Sequence, residues 1–404
     1  MAALTKEEKI FITVDPGFDS VKVLVNGFYQ KFPKEVVDIT ELDESKFIGN
    51  KTGAFLKASY IEGKQHLVGE YAAKFLSERN KKEGEQESEM IHDTFETFKT
   101  TDRQISIMSA IGKGLIDYTL NSKNSVVSFV KQDDGSFDVN TGIGKLYVGV
   151  AMPHDAVDEW SYIRSWLKGE HKFKLETRDG IYNFDLDIKN IMDGSQVISA
   201  LFGTLTDDNG NFIDDNALSE DKLPAIVIDG GYYTVGMAHF TSVKLVDDSA
   251  SNLTYAMKNI YEMVAKQIRE ESKRTDVTSA RVKQVMRSKD KTINYYVEEE
   301  EKGYSIDVES LVKTATGKVC EDMIAELRQK YNNLVDIKTL LVTGGTGIAY
   351  YEHIKEILSG CPWINVELTD YEFMGEEITP DFAIVIGMYK VLKAAVTDYE
   401  KNKK

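Results

Sequence analysis

Short runs of Val, Ile and Leu alternate along this chain with longer stretches in which apolar residues recur every three or four positions. That alternation predicts strands and amphipathic helices in succession, the pattern of an α/β architecture. Strands are expected at residues 10–14, 21–25, 146–151, 225–228 and 340–343, and several of them stop at Asp-Gly or Gly-Gly. One helix is expected over residues 251–271, where Leu253, Met257, Ile260, Val264 and Ile268 share a stripe. A second, over 308–327, carries Leu311, Ala315, Val319, Met323 and Leu327 on its stripe and Asp307 as its N-cap. Residues 156–168 predict a third, stopped by Gly169, and residues 105–120 a fourth. The last, about 382–396, follows Pro380.

Polar stretches punctuate this pattern. Residues 78–103 and 269–302, the latter with the acidic run 298–301, read as solvated insertions. Residues 206–222 contain Asp207-Asp-Asn-Gly-Asn but lack the glutamate that closes a calcium loop at its twelfth position, and so read as a connector. With 404 residues and 42% hydrophobic content, the chain has enough apolar material for two cores, since a single core stops growing at about 250–300 residues.

Charge and the remaining composition narrow the classes of function. Lys and Arg number 49 against 66 Asp and Glu, a net charge of −17 that repels a phosphate backbone, so direct binding to bulk nucleic acid is disfavoured. No apolar run approaches the roughly 20 residues that span a bilayer, and the first residues carry no signal-peptide core, so a cytoplasmic protein without membrane contact is expected. Cys320 and Cys361 lack metal-ligand spacing and are expected to be buried thiols.

Three turns carry candidate chemistry. In Val14-Asp-Pro-Gly-Phe-Asp-Ser-Val-Lys-Val23, two strand-like runs flank a turn with Asp15, Gly17 and Ser20. Such a hairpin can aim backbone N–H groups at an anion, with Asp15 facing a hydrated Mg²⁺ and Lys22 in reach of a phosphate; an ordinary Asp-Gly hairpin is the alternative. Ala225-Ile-Val-Ile-Asp-Gly-Gly-Tyr-Tyr-Thr-Val235 repeats the arrangement of strand, aspartate, glycine turn and strand. The pair suggests two similar halves gripping one phosphate chain. In Leu340-Leu-Val-Thr-Gly-Gly-Thr-Gly-Ile348, a buried strand delivers Gly344, Gly345 and Gly347 to a helix N-terminus, which favours phosphate. No Gly-Lys-Ser/Thr follows, so this is not a Walker A loop, and no dinucleotide fingerprint occurs.

In this order and spacing the three turns resemble those of the actin superfamily. Residues 15–22 look like its first phosphate loop, residues 229–234 like its second, and Gly344-Gly-Thr346 like its adenosine motif. Residues 141–153 and 381–390 look like its two connecting segments, and the closing Phe-Ala-Ile-Val-Ile-Gly-Met-Tyr pattern is most similar to ParM-type bacterial actins. The resemblance implies an actin-like ATPase fold: two related α/β domains around a nucleotide cleft, each with a smaller inserted subdomain. The first domain is expected over 1–221 with its outer subdomain at about 30–130, and the second over 222–380 with its outer subdomain at about 250–305. A C-terminal helix over 381–404 returns to the first domain. Phe18, Tyr232 and Gly236 depart from the family pattern, where smaller or acidic residues are usual.

The resemblance further implies ATP or GTP with Mg²⁺ as ligand, slow hydrolysis, polymerisation and plasmid segregation through a ParR-like DNA-binding adaptor, with DNA bound only indirectly. Asp15 and Asp229 are then expected to hold Mg²⁺ through water, and Gly17, Phe18, Asp19, Ser20, Lys22, Gly230, Gly231, Tyr232, Thr234, Gly344, Gly345 and Thr346 to cradle the nucleotide. Gln196, in Met192-Asp-Gly-Ser-Gln-Val-Ile-Ser-Ala-Leu-Phe202, matches the family's water-orienting position; Asp193 is its rival, and a helix start without catalytic duty the plainer reading. Glu262 and Lys266 are either base contacts or an i,i+4 salt pair. A scaffold actin of cell shape or organelle positioning, or a phosphotransferase of the sugar-kinase type, would use the same cleft.

Overall fold

The computed structural model describes residues 9–42, 55–83, 98–123, 125–141, 145–154, 156–213, 222–241, 251–253, 255–272, 276–297, 301–369 and 371–402. Two five-stranded sheets organise the molecule. In the first, Lys9–Pro16 pairs antiparallel with Ser20–Val25, which pairs antiparallel with Phe28–Pro33; on its other side it runs parallel to Lys145–Met152, and that strand to Asn190–Ser195. In the second, Ala225–Gly230 pairs antiparallel with Val235–Phe240 and that with Ser251–Leu253; on its other side it runs parallel to Thr339–Thr343, and that strand to Asn365–Leu368. Strand order and sense are the same in both sheets, so the chain builds one α/β unit twice. The strands at the centre, Ala225–Gly230 and Thr339–Thr343, are buried at every residue. Helices cover both faces there, which is why these strands read as unbroken apolar runs.

The helices are Glu70–Glu83 (α1), Thr101–Asn121 (α2), Val157–Leu167 (α3), Gln196–Leu205 (α4), Met257–Ser272 (α5), Ser279–Arg287 (α6), Val308–Lys330 (α7), Gly347–Ile357 (α8) and Ala383–Lys401 (α9). α7 starts as expected: the Asp307 carboxylate accepts from the backbone N–H of Ser310 at 3.2 Å. α4 and α9 follow the last strand of their respective sheets and cross each other closely. A Cβ on Gly387 would lie 1.8 Å from the Ser199 carbonyl oxygen, so only glycine lets the two backbones meet. One turn further along α9, the ammonium of buried Lys390 donates to the carbonyls of Gly203 and Thr206, both at 2.8 Å. It satisfies the end of α4, where the helix dipole favours a cation. Burial pushes this ammonium down to about 8.

Some elements differ from expectation. Residues 251–253 are not the start of a helix; they form the third strand of the second sheet, and α5 begins at Met257. Leu253 stands opposite Val235 in the register of that ladder. The polar stretch 269–302 contains the amphipathic helix α6, whose Val282 and Val285 enter the second core, and a hairpin of Thr292–Val297 with Lys302–Asp307. Residues 298–300 of the acidic run lie outside the described residues, as do 84–97 and 214–221. Cys361 is half-buried rather than buried; both it and Cys320 are free thiols.

A seven-stranded sheet, absent from the expectation, runs Val36–Asp38, His66–Val68, Leu56–Ser59, Gly169–Thr177, Gly180–Ile188, Phe137–Asn140, Ser128–Lys131. Its central hairpin alternates cleanly: His171, Phe173, Leu175 and Thr177, and opposite them Tyr182, Phe184, Leu186 and Ile188, are buried while their neighbours face out.

The α4–α9 crossing has a direct test. Gly387→Ala must push the helices apart, and we expect a loss of about 1–3 kcal/mol in urea-unfolding stability. The same substitution at Gly303, where an added Cβ meets nothing within 4 Å, should change stability by no more than a few tenths of that.

Candidate functional site

Each sheet ends its first strand at an aspartate followed by a turn. Lys9–Pro16 delivers Asp15, only 1% exposed, and the tight turn after it brings Lys22 back so that its ammonium sits 2.9 Å from the Asp15 carboxylate. A Cβ on Gly17 would lie 2.9 Å from the Ser20 carbonyl oxygen, so the turn needs glycine there. Arg103 of α2, buried, braces the turn from behind by donating to the Pro16 carbonyl at 2.6 Å, with its guanidinium 4.8 Å from the Phe98 ring. Burial holds that guanidinium down to about 10, against the pull of Asp15 and Glu35.

Ala225–Gly230 delivers Asp229 in the same way. The third turn is stitched to the second: the Thr346 N–H donates to the Gly230 carbonyl at 2.9 Å and its hydroxyl to the Gly231 carbonyl at 3.0 Å. Gly344 takes a φ of +81°, and a Cβ on it would lie 2.4 Å from the Asp229 carboxylate. That side chain can reach the cleft only past a glycine.

All three turns line one cavity of about 250 Å³ between the two sheets. It is walled by Asp15, Gly17, Phe18, Asp19, Ser20 and Lys22 from the first turn, by residues 229–234 from the second, and by Gly344, Gly345 and Thr346 from the third. Gln196, the first residue of α4, completes it; its side-chain amide donates to the Asp15 carboxylate at 2.8 Å. Because a carboxylate only accepts, this bond fixes which end of the amide points at Asp15 and leaves the amide oxygen facing away from it. The rival Asp193 is held elsewhere, 2.7 Å from the Arg164 guanidinium of α3.

Two expected members are not brought to the cleft. Glu262 and Lys266 sit on the solvent face of α5, 45% and 72% exposed, and pair with Lys258 and Glu270 rather than with each other. Met257 and Tyr261 line the cavity instead. They are four residues apart on one face, and Glu262 lies a further ~100° round the helix. The sequence reading also missed Lys31 and Asp381, an ion pair at 2.6 Å on the cavity wall, and Lys283 and Arg287 of α6. The i,i+4 spacing of the last two on an amphipathic helix was a signal, masked by the polarity of the segment around them.

The electrostatics are unusual. Burial, then the charge of Asp15, pushes the Asp229 carboxyl up to about 7, and Lys22 only partly offsets this. Burial works against the Lys22 ammonium too, but Asp15, Asp229 and Asp381 together hold its pKa above the ordinary value. Two buried carboxylates thus share one buried cation, a donor set that suits a divalent ion. Among the described residues no three His, Cys, Asp or Glu side chains converge as a metal site. An ion such as Mg²⁺, which wants six oxygens, would therefore have to bring water and ligand oxygens with it. The residues present fit a metal that arrives with a polyphosphate.

No protein-family profile matches the sequence, and neither does any curated protein. Solved structures do match. The actin-like protein Alp7A superimposes with a TM-score of 0.66 at 14% identity, over 98% of this chain and 99% of that one. The subunit of a 15-stranded ParM filament from Clostridium botulinum does so with a TM-score of 0.65 at 18% identity, over 96% and 99%. An archaeal actin homologue, Ta0583, gives 0.62 at 12% identity over 95% and 98%. The chain has the actin-like fold, two related α/β domains around a cleft, along essentially its whole length.

The Asp229 carboxyl gives the cleft a pH signature. Its folded pKa of about 7 lies above the ordinary aspartate value of 3.8. The folded state therefore binds more protons than the unfolded state between those values, and this group's contribution to stability falls as pH rises from about 4 to about 7. In urea unfolding of the ligand-free protein, wild type should lose stability relative to Asp229→Asn across that window.

Proposed function

We propose that this chain binds a nucleoside triphosphate with Mg²⁺ between its two sheets, hydrolyses it slowly, and assembles into filaments. The single observation that carries this reading is the convergence of the turns at Asp15, Asp229 and Gly344 on one cavity. Sequence-remote glycine turns aimed at one point, two acidic groups and a lysine form a phosphate cradle with a place for a divalent ion. Bound Mg²⁺ would neutralise charge on the phosphate oxygens. Asp15 and Asp229 would hold its water ligands, and Lys22 would contact a phosphate oxygen directly. Past Thr346, Ile348 and Ala349 line a second groove of about 670 Å³ with Met286 and Val312; we place the base there rather than against Glu262 and Lys266.

Hydrolysis requires a water in line with the terminal phosphate. Gln196 is the residue proposed to orient it. Asp15 holds its amide nitrogen, so the amide oxygen is free to accept a hydrogen bond from water. An amide has no proton affinity to speak of at neutral pH, so it positions rather than deprotonates, and turnover should be slow.

Assembly is proposed by likeness. The ParM and Alp12 structures that this chain resembles are filaments. Filaments of this chain would serve plasmid segregation, with a ParR-like adaptor carrying the basic surface that a net charge of −17 denies to the filament itself. Among the described residues no helix is long and apolar enough to cross a membrane, which offers nothing to an envelope-scaffold reading.

Phosphate release and pelleting with ATP, GTP or no nucleotide test the proposal. Wild type should pellet only with nucleotide, and Gln196→Ala should bind nucleotide yet release phosphate about a hundredfold more slowly. Unchanged release in that variant would remove Gln196 from the reaction. A wild-type protein that stays monomeric at high concentration with either nucleotide would remove the filament.

A further inference from the structure

Contacts between the two halves of the molecule run across the cavity. Asp19, on the first turn, accepts hydrogen bonds from the Lys283 ammonium and, at 3.2 Å, from the Arg287 guanidinium. These cations are 264 and 268 residues away in the chain, on α6, whose Val282 and Val285 are anchored in the second core. Asp19 belongs to the first sheet's hairpin. The Lys283 ammonium also lies 4.1 Å from the centre of the Tyr232 ring, on the second turn. Beside this ion pair, the Phe18 ring meets Tyr233 edge to face at 5.8 Å, again joining the first turn to the second.

Burial works against ionisation of Asp19, but Lys283, then Arg287, outweigh it and hold its pKa below the ordinary carboxylate value. Asp19 is therefore ionised throughout the neutral range. Asp19 and Lys283 are only 27% and 21% exposed, where ion pairs are screened less than at an open surface, while Arg287 is 61% exposed and the weaker partner. Asp19, Lys283 and Arg287 all line the cavity themselves, so the ion pairs join one wall of the cavity to the other.

We propose that Asp19 with Lys283 and Arg287 is an electrostatic gate across the cleft, which sets the rate at which nucleotide enters and leaves. This rests on the nucleotide-binding reading above. A gate opposes passage in both directions, so weakening it speeds association and dissociation together. An ordinary contact to bound nucleotide would, when lost, speed dissociation alone.

The test is stopped-flow exchange of a fluorescent ATP analogue with Mg²⁺, at protein concentrations too low for assembly. In Asp19→Asn, which keeps the shape and loses the charge, we expect association and dissociation each to be about tenfold faster. Wild-type dissociation should accelerate with added salt, and Asp19→Asn dissociation should not. The charge swap Asp19→Lys with Lys283→Asp should return dissociation toward the wild-type rate, whereas Asp19→Lys alone should not. Lys283→Gln with Arg287→Gln approaches the gate from the other side, should Asp19→Asn fail to fold, and is expected to speed both rates. Dissociation that is unchanged in these variants, or faster with association unchanged, overturns the gate while leaving the nucleotide site intact. Failure of wild type to bind the analogue at all overturns the nucleotide reading instead.

Discussion

Two buried carboxylates facing one buried ammonium set the terms for the rest of this structure. Asp15 and Asp229 are 1% and 8% exposed, and one of them can carry its charge at neutral pH only against the field of the other. A fold that sought stability alone would not keep such a pair. The duplicated sheets deliver both acids from the end of the same strand in each unit, and the glycine turns leave the space between them open. A divalent ion, in the reading proposed above, would relieve the conflict between the two carboxylates, and a phosphate chain would pair with Lys22.

The helices translate this local chemistry into the relation between domains. α4 starts in the first domain at Gln196, bonded to Asp15, and ends under Lys390 of α9. Its midpoint is pinned by the backbone contact of Ser199 with Gly387. Any change at Asp15 thus bears on a short rigid rod fixed at both ends and at its centre. The contacts proposed above as a gate are, by contrast, ion pairs and ring contacts of Asp19, Phe18 and Lys34 with the second half, groups that solvent can displace.

Much of this was readable in the sequence, and the parts that were not share a cause. The strands ending at Asp15 and Asp229, and the Gly344 turn, announce themselves because buried parallel strands must be apolar throughout and glycine turns must be glycine. The hairpin over 169–188 shows strict alternation, a weaker signal than an unbroken apolar run because half of its residues are polar. Residues 251–253 misled because Leu253 continued a helical stripe by coincidence, and only pairing with Val235 revealed its role. Glu262 and Lys266 lie on the solvent face of α5, whereas Met257 and Tyr261 of the same helix line the cavity. Lys283 and Arg287 could not have been found by composition, since a functional cation on a polar segment looks like any solvated one until the fold shows what stands opposite. Local chemistry was available from local sequence; contacts spanning 264 residues were not.

The central claim is that three turns, remote in sequence, hold one triphosphate. A crystal structure of the protein with Mg²⁺ and a non-hydrolysable ATP or GTP analogue tests it most directly. The account predicts phosphate oxygens against the backbone of Gly17, Gly231 and Gly345, with the metal's waters shared between the two aspartates. A nucleotide bound at any other place, or phosphates held by one of the turns while the others face solvent, would contradict it.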